Sequence, residues 1–264
     1  MTTPLRFDFG VRHPILTGRD RRAGCSEITR VATFVLVHGA WHGGWCYRHV
    51  ANILRRAGHD VFTPTLTGLG ERAHLAALSI TLSTHVEDVA NVIVWEELDN
   101  VILCGHSYGG MVITGVADRL PDKLKALVYL DAFVPESGKA LWDYISDAEK
   151  SFFMSVAAAR GGGLTAPIPA AAFACTDPAW VDRRCVPHPS FLEALNLRHA
   201  TFPGPKSYVY ATGWGQDGPI LTPFKQFYER YRNDARWTVP TVATGHDVMI
   251  DDPDGLARLL LALA

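Results

Sequence analysis

The chain has 264 residues, of which 48% are apolar and 20% charged, and a formal net charge of −2. That length suits one large domain or a core with an insertion, and the near-neutral balance gives no electrostatic footprint for nucleic acid or an anionic membrane. Cysteines 25, 46, 104, 175 and 185 lack Cys-x-x-Cys spacing, so they read as free thiols in a reducing compartment and not as a disulfide frame or zinc site. No apolar run approaches the roughly 20 residues of a membrane span. Residues 1–30 lack the apolar stretch of a secretory signal, and a soluble cytoplasmic protein is expected.

Residues 1–30, with six arginines and two prolines, read as a loosely attached extension. The ordered fold is expected to begin at Val31–Val37, a near-continuous apolar strand of the kind buried in parallel sheets. It runs into the glycine- and aromatic-rich turn His38–Trp45, and a helix follows with Val50, Ile53, Leu54 and Ala57 on one face and Gly58 as its stop. Val61–Leu66 is the next strand. Thr84 and Glu87 have the spacing of a capping box, opening a helix marked by Val86, Val89, Ala90, Ile93 and Val94. The strand Val101–Cys104 then enters Gly105-His106-Ser107-Tyr108-Gly109, with Met111, Val112, Val116 and Leu120 at helical spacing beyond it. Leu127–Leu130 is a further strand, ending at Asp131. Strands alternating with helices in this way predict an α/β fold with a mostly parallel, doubly wound sheet.

From about Phe133 to Phe202 the alternation fails, over a stretch too long for a simple loop, and an inserted helical cap is expected. The division is therefore residues 31–132 and 203–264 as core and 133–202 as cap. The core resumes at Tyr208–Ala211, with a helix near Phe224–Tyr231, a strand near Trp237–Ala243, and a last helix lined by Leu256, Leu259, Leu260 and Leu263.

A strand that turns into a helix through Gly-x-Ser-x-Gly is a nucleophile elbow. Gly105 and Gly109 let strand and helix approach closely, and Ser107 is held clear in a strained turn above a helix N-terminus. A serine hydroxyl needs a base within reach. On this architecture the base is a histidine on the loop after the final strand, where Gly245-His246 stands. The acid that orients it is less directly given. The next-to-last strand ends in Thr212-Gly213-Trp214-Gly215 without a carboxylate, leaving Asp131, at the tip of the strand after the elbow helix, and Asp217 as candidates. Asp131 is preferred for its place at a buried strand end. Asp251 and Asp252 read as caps of the last helix. The oxyanion donors expected are the N–H groups of Tyr108 and Ala40. His38 and Gly39 shape the first loop. Trp41, Tyr108 and Trp142 are the substrate-binding candidates of a flat, apolar pocket, Trp45 is assigned to the core, and Cys46 and Cys104 are small buried hydrophobes.

These residues carry a resemblance. The blocks FVLVHGAWHGGWCYR (34–48), TPTLTGLGERAHL (63–75), GHSYGGMVITGVADR (105–119), LVYLDAFVPE (127–136) and WVDRRCVP (180–187) resemble the α/β-hydrolase superfamily, in the branch of plant hydroxynitrile lyases and methylesterases. Within that branch the chain is most similar to bacterial carbendazim hydrolases, which cleave a methyl carbamate on a benzimidazole. The resemblance implies Ser107 as nucleophile, His246 as base and Ala40 as second oxyanion donor. Hydroxynitrile lyases carry a threonine and a lysine where this chain has Gly39 and Asp247, so their cyanide-handling groups are missing. Plant members place their acid where this chain has Thr212-Gly213, which favours Asp131. The carbendazim hydrolases carry a cysteine where this chain has Thr244.

The expectation is a serine hydrolase of the α/β-hydrolase fold that needs no cofactor or metal. It acts on a small, partly aromatic carboxylic ester or methyl carbamate through an acyl- or carbamoyl-enzyme. Its partner is that apolar small molecule, with no nucleic acid and no membrane, and a homodimer stays open. A hydroxynitrile lyase and a non-catalytic small-ligand receptor on the same fold are the alternatives.

Overall fold

The computed structural model describes residues 31–160, 164–189, 191–199, 202–215 and 223–264. The extension expected over residues 1–30 and the alternative acid Asp217 both lie outside the described residues. Among the described residues seven parallel strands form one sheet. They are β1 (Thr33–Val37), β2 (Asp60–Phe62), β3 (Val101–His106), β4 (Leu124–Leu130), β5 (Lys206–Ala211), β6 (Trp237–Thr238) and β7 (Thr241–Val242). Their order is β2-β1-β3-β4-β5-β6, and β7 pairs further along β5. Strand β3 lies between β1 and β4 and is buried at every position. A strand covered on both faces gains nothing from alternation, which is why Val101–Cys104 is apolar throughout.

Going from β1 to β2 and back past β1 to β3 reverses the direction of winding. With right-handed crossovers, that reversal sends the two connecting helices to opposite faces. Helix α1 (Arg48–Arg56) accordingly packs with the C-terminal helix α8 (Pro253–Leu261), and α2 (Leu82–Trp95) with the elbow helix α3 (Gly109–Arg119). The remaining helices are α4 (Asp147–Arg160) and α5 (Pro178–Asp182) between β4 and β5, α6 (Phe224–Tyr231) and α7 (Val248–Asp251).

Three expected boundaries move, each for a local reason. Helix α2 begins at Leu82, capped from Thr81, whose N–H donates to Thr84 Oγ1 at 3.4 Å; Thr84 is therefore the third helical residue and not the cap. The strand expected over Val61–Leu66 pairs only through Phe62, because Pro64 has no N–H to continue the ladder of an edge strand. Pro240 likewise divides the stretch expected over Trp237–Ala243 into β6 and β7, its carbonyl still accepting from Tyr210 N at 3.0 Å. Asp252 caps α8 through Gly255 N at 2.8 Å, whereas Asp251 instead accepts from Thr176 N and Oγ1, both at 2.8 Å.

All strands being parallel, their carboxyl ends share one edge. Register sets the levels there: His106 pairs with Leu130, so Ser107 and Asp131 emerge side by side, and Leu130 pairs with Val209. Turns at Leu141–Tyr144 and Ala170–Phe173 join α4 and α5 in the segment between β4 and β5, which faces this edge.

Candidate active site

Ser107 follows β3 with φ of 52°, in the left-handed region that a residue with a side chain enters at a cost of roughly 1–3 kcal/mol. The glycines on either side explain how the turn closes. A Cβ at Gly105 would lie 2.5 Å from Gly109 O, and one at Gly109 would lie 2.7 Å from Val37 O. The turn is pinned on both sides: Ser107 N donates to Leu130 O at 3.3 Å, while Ser107 O accepts from Gly110 N at 3.0 Å and Phe133 N at 3.1 Å.

His246 lies on the loop after β7, with its own N–H donated to Phe173 O at 3.0 Å. Its Nδ1 stands 2.8 Å from Asp131 Oδ2. A carboxylate only accepts, so Nδ1 carries the hydrogen and Nε2 is left as the basic nitrogen. Asp131 is 0% exposed. Burial pushes its carboxyl up, and hydrogen bonds from His246, from Ala211 N at 3.3 Å and from Trp214 Nε1 at 3.0 Å act in the opposite direction. The imidazole is held flat: Phe224 stacks on it at 5.1 Å with an interplanar angle of 13°, and Trp214 and Phe173 pack at 5.0 and 5.2 Å. Ser107 and His246 share the wall of one cavity. A basic nitrogen, an oriented ring and a hydroxyl in one chamber can perform acyl transfer.

Neither Ala40 nor Tyr108 donates its N–H to a backbone carbonyl among the described residues, so two donors beside Ser107 remain available to an oxyanion. The Tyr108 side chain is fixed independently. His85 Nε2 donates to Thr67 O at 3.0 Å, so its Nδ1 accepts from Tyr108 Oη at 2.8 Å. His38 does structural work: Nδ1 donates to Gly39 O at 2.8 Å and Nε2 accepts from Leu66 N at 3.1 Å. Burial brings its pKa down to about 3, so the ring stays neutral.

The cavity measures about 50 Å³. Trp41 and Tyr108 line it, and Trp41 Nε1 donates to Thr165 O at 3.0 Å. Trp142 does not line it. The turn beginning at Leu141 directs Leu141 into the cavity and leaves Trp142 half-buried to one side, its N–H on Phe191 O at 3.2 Å. The remaining wall includes Phe153 and Phe173, aromatics of the stretch expected as a cap, and residues the sequence did not single out, among them Ile145, Glu149 and Phe191. Periodicity marks such residues as apolar without saying which surface they face; only Glu149 carried a separate signal, as an acid three residues after Ser146.

Behind Ser107 lies a second group missed in the sequence. His42 Nε2 stands 3.4 Å from Asp247 Oδ1, and His106 Nε2 is 3.9 Å from the same oxygen. Burial alone would push the Asp247 carboxyl up, but the His42 imidazolium outweighs it and holds the carboxyl well below the usual range. For His42, burial is likewise outweighed by the Asp247 charge, and its pKa is raised. His106 stays neutral through burial and donates Nε2–H to His246 O at 3.1 Å. The thiols of Cys46 and Cys104 are buried and pushed up by that burial, Cys104 to about 12, which makes them inert. No group of His, Cys, Asp or Glu among the described residues could hold a metal ion, and no helix there is long and apolar enough to cross a membrane.

Comparison with known proteins agrees with this fold. The model of the alpha/beta hydrolase family matches residues 34–259. The carbendazim hydrolyzing esterase of Nocardioides sp. strain SG-4G is 48% identical over 246 residues, covering 88% of this chain and all of that protein. Methylesterase 2 of Arabidopsis thaliana is 34% identical over 123 residues, 42% of this chain and 43% of the plant protein. Among solved structures, an extracellular alpha/beta-hydrolase from a Paenibacillus species superposes with a TM-score of 0.75 at 26% identity, over 88% of this chain and 99% of that one.

Proposed function

The chain belongs to the alpha/beta hydrolase family, and from that premise we propose that it is a serine esterase cleaving a small, partly aromatic methyl ester or methyl carbamate. The observation that carries this reading is the 2.8 Å contact of His246 Nδ1 with the buried Asp131, with Ser107 on the same cavity wall. Ser107 Oγ attacks the carbonyl carbon while His246 Nε2 takes its proton, and Asp131 stabilises the imidazolium that forms. The tetrahedral oxyanion is received by the N–H groups of Ala40 and Tyr108. As the intermediate collapses, the imidazolium returns the proton to the departing alkoxide, and methanol leaves. Water then attacks the acyl- or carbamoyl-enzyme, with His246 again as base. An ester yields a carboxylic acid; a carbamate yields a carbamic acid that loses carbon dioxide to give the amine.

The substrate class follows from the cavity, whose wall is mostly aromatic and aliphatic, and from the carbendazim hydrolyzing esterase and the plant methylesterase that the chain resembles. The test is product formation from a matched aryl methyl ester and aryl methyl carbamate, wild type beside Ser107→Ala. Serine-dependent release of methanol from either supports the reading. Turnover that survives Ser107→Ala, or none with wild type, refutes it.

A further inference from the structure

Among the described residues Glu149 is the one carboxyl on the wall of the cavity that holds Ser107 and His246, and it is 3% exposed. It has a structural role. Ser146 precedes α4, and Glu149 is the third residue of that helix. Ser146 N and Oγ both donate to Glu149 Oε2, at 2.7 and 2.8 Å, and Glu149 N donates back to Ser146 Oγ at 3.2 Å. This is a capping box, and it uses one carboxylate oxygen. Oε2 has filled both of its lone-pair directions. Oε1 has no partner among the described residues.

A capping box normally sits in water, where the second oxygen is solvated at no cost. Here the residue is buried on a cavity wall that Phe153, Ile145 and Leu141 also line. Burial pushes the Glu149 carboxyl above its ordinary value, against the Ser146 hydrogen bonds. An unpartnered acceptor on a mostly apolar cavity wall is satisfied best when a ligand supplies the donor. The other polar groups on the wall are accounted for. Tyr108 Oη donates to His85, Trp41 Nε1 donates to Thr165 O, and Ser107 and His246 are the reacting pair proposed above.

We infer that Glu149 Oε1 is a specificity-determining acceptor for an N–H group of the substrate, which makes the substrate a secondary carbamate, R–NH–CO–OCH₃, in preference to a plain ester. The N–H of such a carbamate is bonded directly to the carbonyl carbon that Ser107 attacks, whereas the matched ester has a methylene there and leaves the carboxylate unpartnered. The inference rests on the serine-hydrolase reading.

Three substrates test it: an aryl methyl carbamate, its N-methyl analogue, and the arylacetic methyl ester in which CH₂ replaces NH. In Glu149→Gln the Ser146 donors keep the amide oxygen at the cap and turn the NH₂ toward the cavity, donor against donor. The expected result is a kcat/KM preference for the N–H carbamate over both analogues that falls about 10- to 100-fold in Glu149→Gln. An unchanged preference, or an equal loss on all three substrates, overturns the inference and leaves Glu149 a helix cap. Failure of wild type on all three overturns the hydrolase reading instead. Should Glu149→Gln not fold, Ser107→Ala answers the same question by calorimetry. It should bind the N–H carbamate at least about tenfold more tightly than the N-methyl analogue, and equal binding overturns the inference.

Discussion

Replacing Asp131 by asparagine removes one charge and almost no volume, and the contacts of Asp131 set the size of the effect. Its Oδ2 accepts from His246 Nδ1 at 2.8 Å and Trp214 Nε1 at 3.0 Å, and its Oδ1 accepts from Ala211 N at 3.3 Å. An amide has one oxygen. With that oxygen toward His246 and Trp214, the NH₂ faces the Ala211 N–H. With the amide reversed, the NH₂ donates to Nδ1 and moves the imidazole hydrogen to Nε2, where it can no longer take the serine proton. In either arrangement the imidazolium forms without its counter-charge. At 2.8 Å and an effective dielectric constant of about 20, that attraction is about 6 kcal/mol, or roughly 10⁴-fold in rate. The counter-charge acts on the imidazolium formed as the serine proton is taken, so the loss belongs in kcat and not in KM. Stability should fall by only about 1–3 kcal/mol, because the amide leaves a buried donor unpaired while a neutral group is cheaper to bury than the carboxylate it replaces. Initial rates on an aryl methyl ester, with a melting curve of the same preparation, give both numbers. A folded Asp131→Asn protein within about tenfold of wild-type kcat refutes the reasoning, as does a large kcat loss in Asp217→Asn with Asp131 intact.

Two further outcomes follow from groups around the elbow. A Cβ at Gly39 would lie 2.8 Å from His106 Nδ1 and 2.9 Å from Ser107 Cβ, so Gly39→Ala should shift the Ala40 N–H and lower kcat by about 10²-fold; wild-type kcat in that variant would show that Ala40 is not an oxyanion donor. The His42–Asp247 pair sets a pH window of stability. The raised His42 pKa makes its contribution complete below the ordinary value of 6.5 and lost as pH climbs through the raised value, and the lowered Asp247 pKa makes the partner's contribution complete above 3.8 and lost below it. The denaturant midpoint of Asp247→Asn should therefore fall furthest behind wild type between those limits and recover toward it on both sides, and a pH-independent gap would count against the pair.

The sequence was most informative where backbone geometry demands particular residues. The elbow leaves no room for a Cβ at Gly105 or Gly109, and the apolar run of β3 announces a central strand, so fold and elbow could be read from residue type and spacing. Asp131 needed the topology as well: its place beside His246 depends on β4 lying between β3 and β5, which an elimination among strand tips anticipated. Trp142 shows where such reasoning stops. One residue's rotation about a short turn decides whether Leu141 or Trp142 reaches the cavity, and no periodicity exists over four residues to say which. Glu149 was concealed by its second role, since Ser-x-x-Glu before a helix is sufficiently explained by capping. His42 and Asp247 are 205 positions apart, and nothing local to either discloses the other.

The ties between the segment following β4 and the His246 loop constrain how such an enzyme can be altered. Phe173 O takes the His246 N–H, Asp251 holds Thr176 by two hydrogen bonds, and Ala174 O would lie 2.5 Å from a Cβ at Gly245. On the other flank, Trp41 is joined to Val186 N and to Thr165 O. Exchanging the whole insertion for that of a relative would therefore uproot the histidine and the first loop together, and chimaeras cut at its two ends should be inactive even when folded. Piecemeal change along α4 and the turn before it escapes most of that penalty, since Leu141, Ile145 and Glu149 touch the cavity without a hydrogen bond to either loop, and Phe153 meets the first loop only by packing on Trp41. Diversification of substrate range in this architecture has its freedom there, in one helix and its approach.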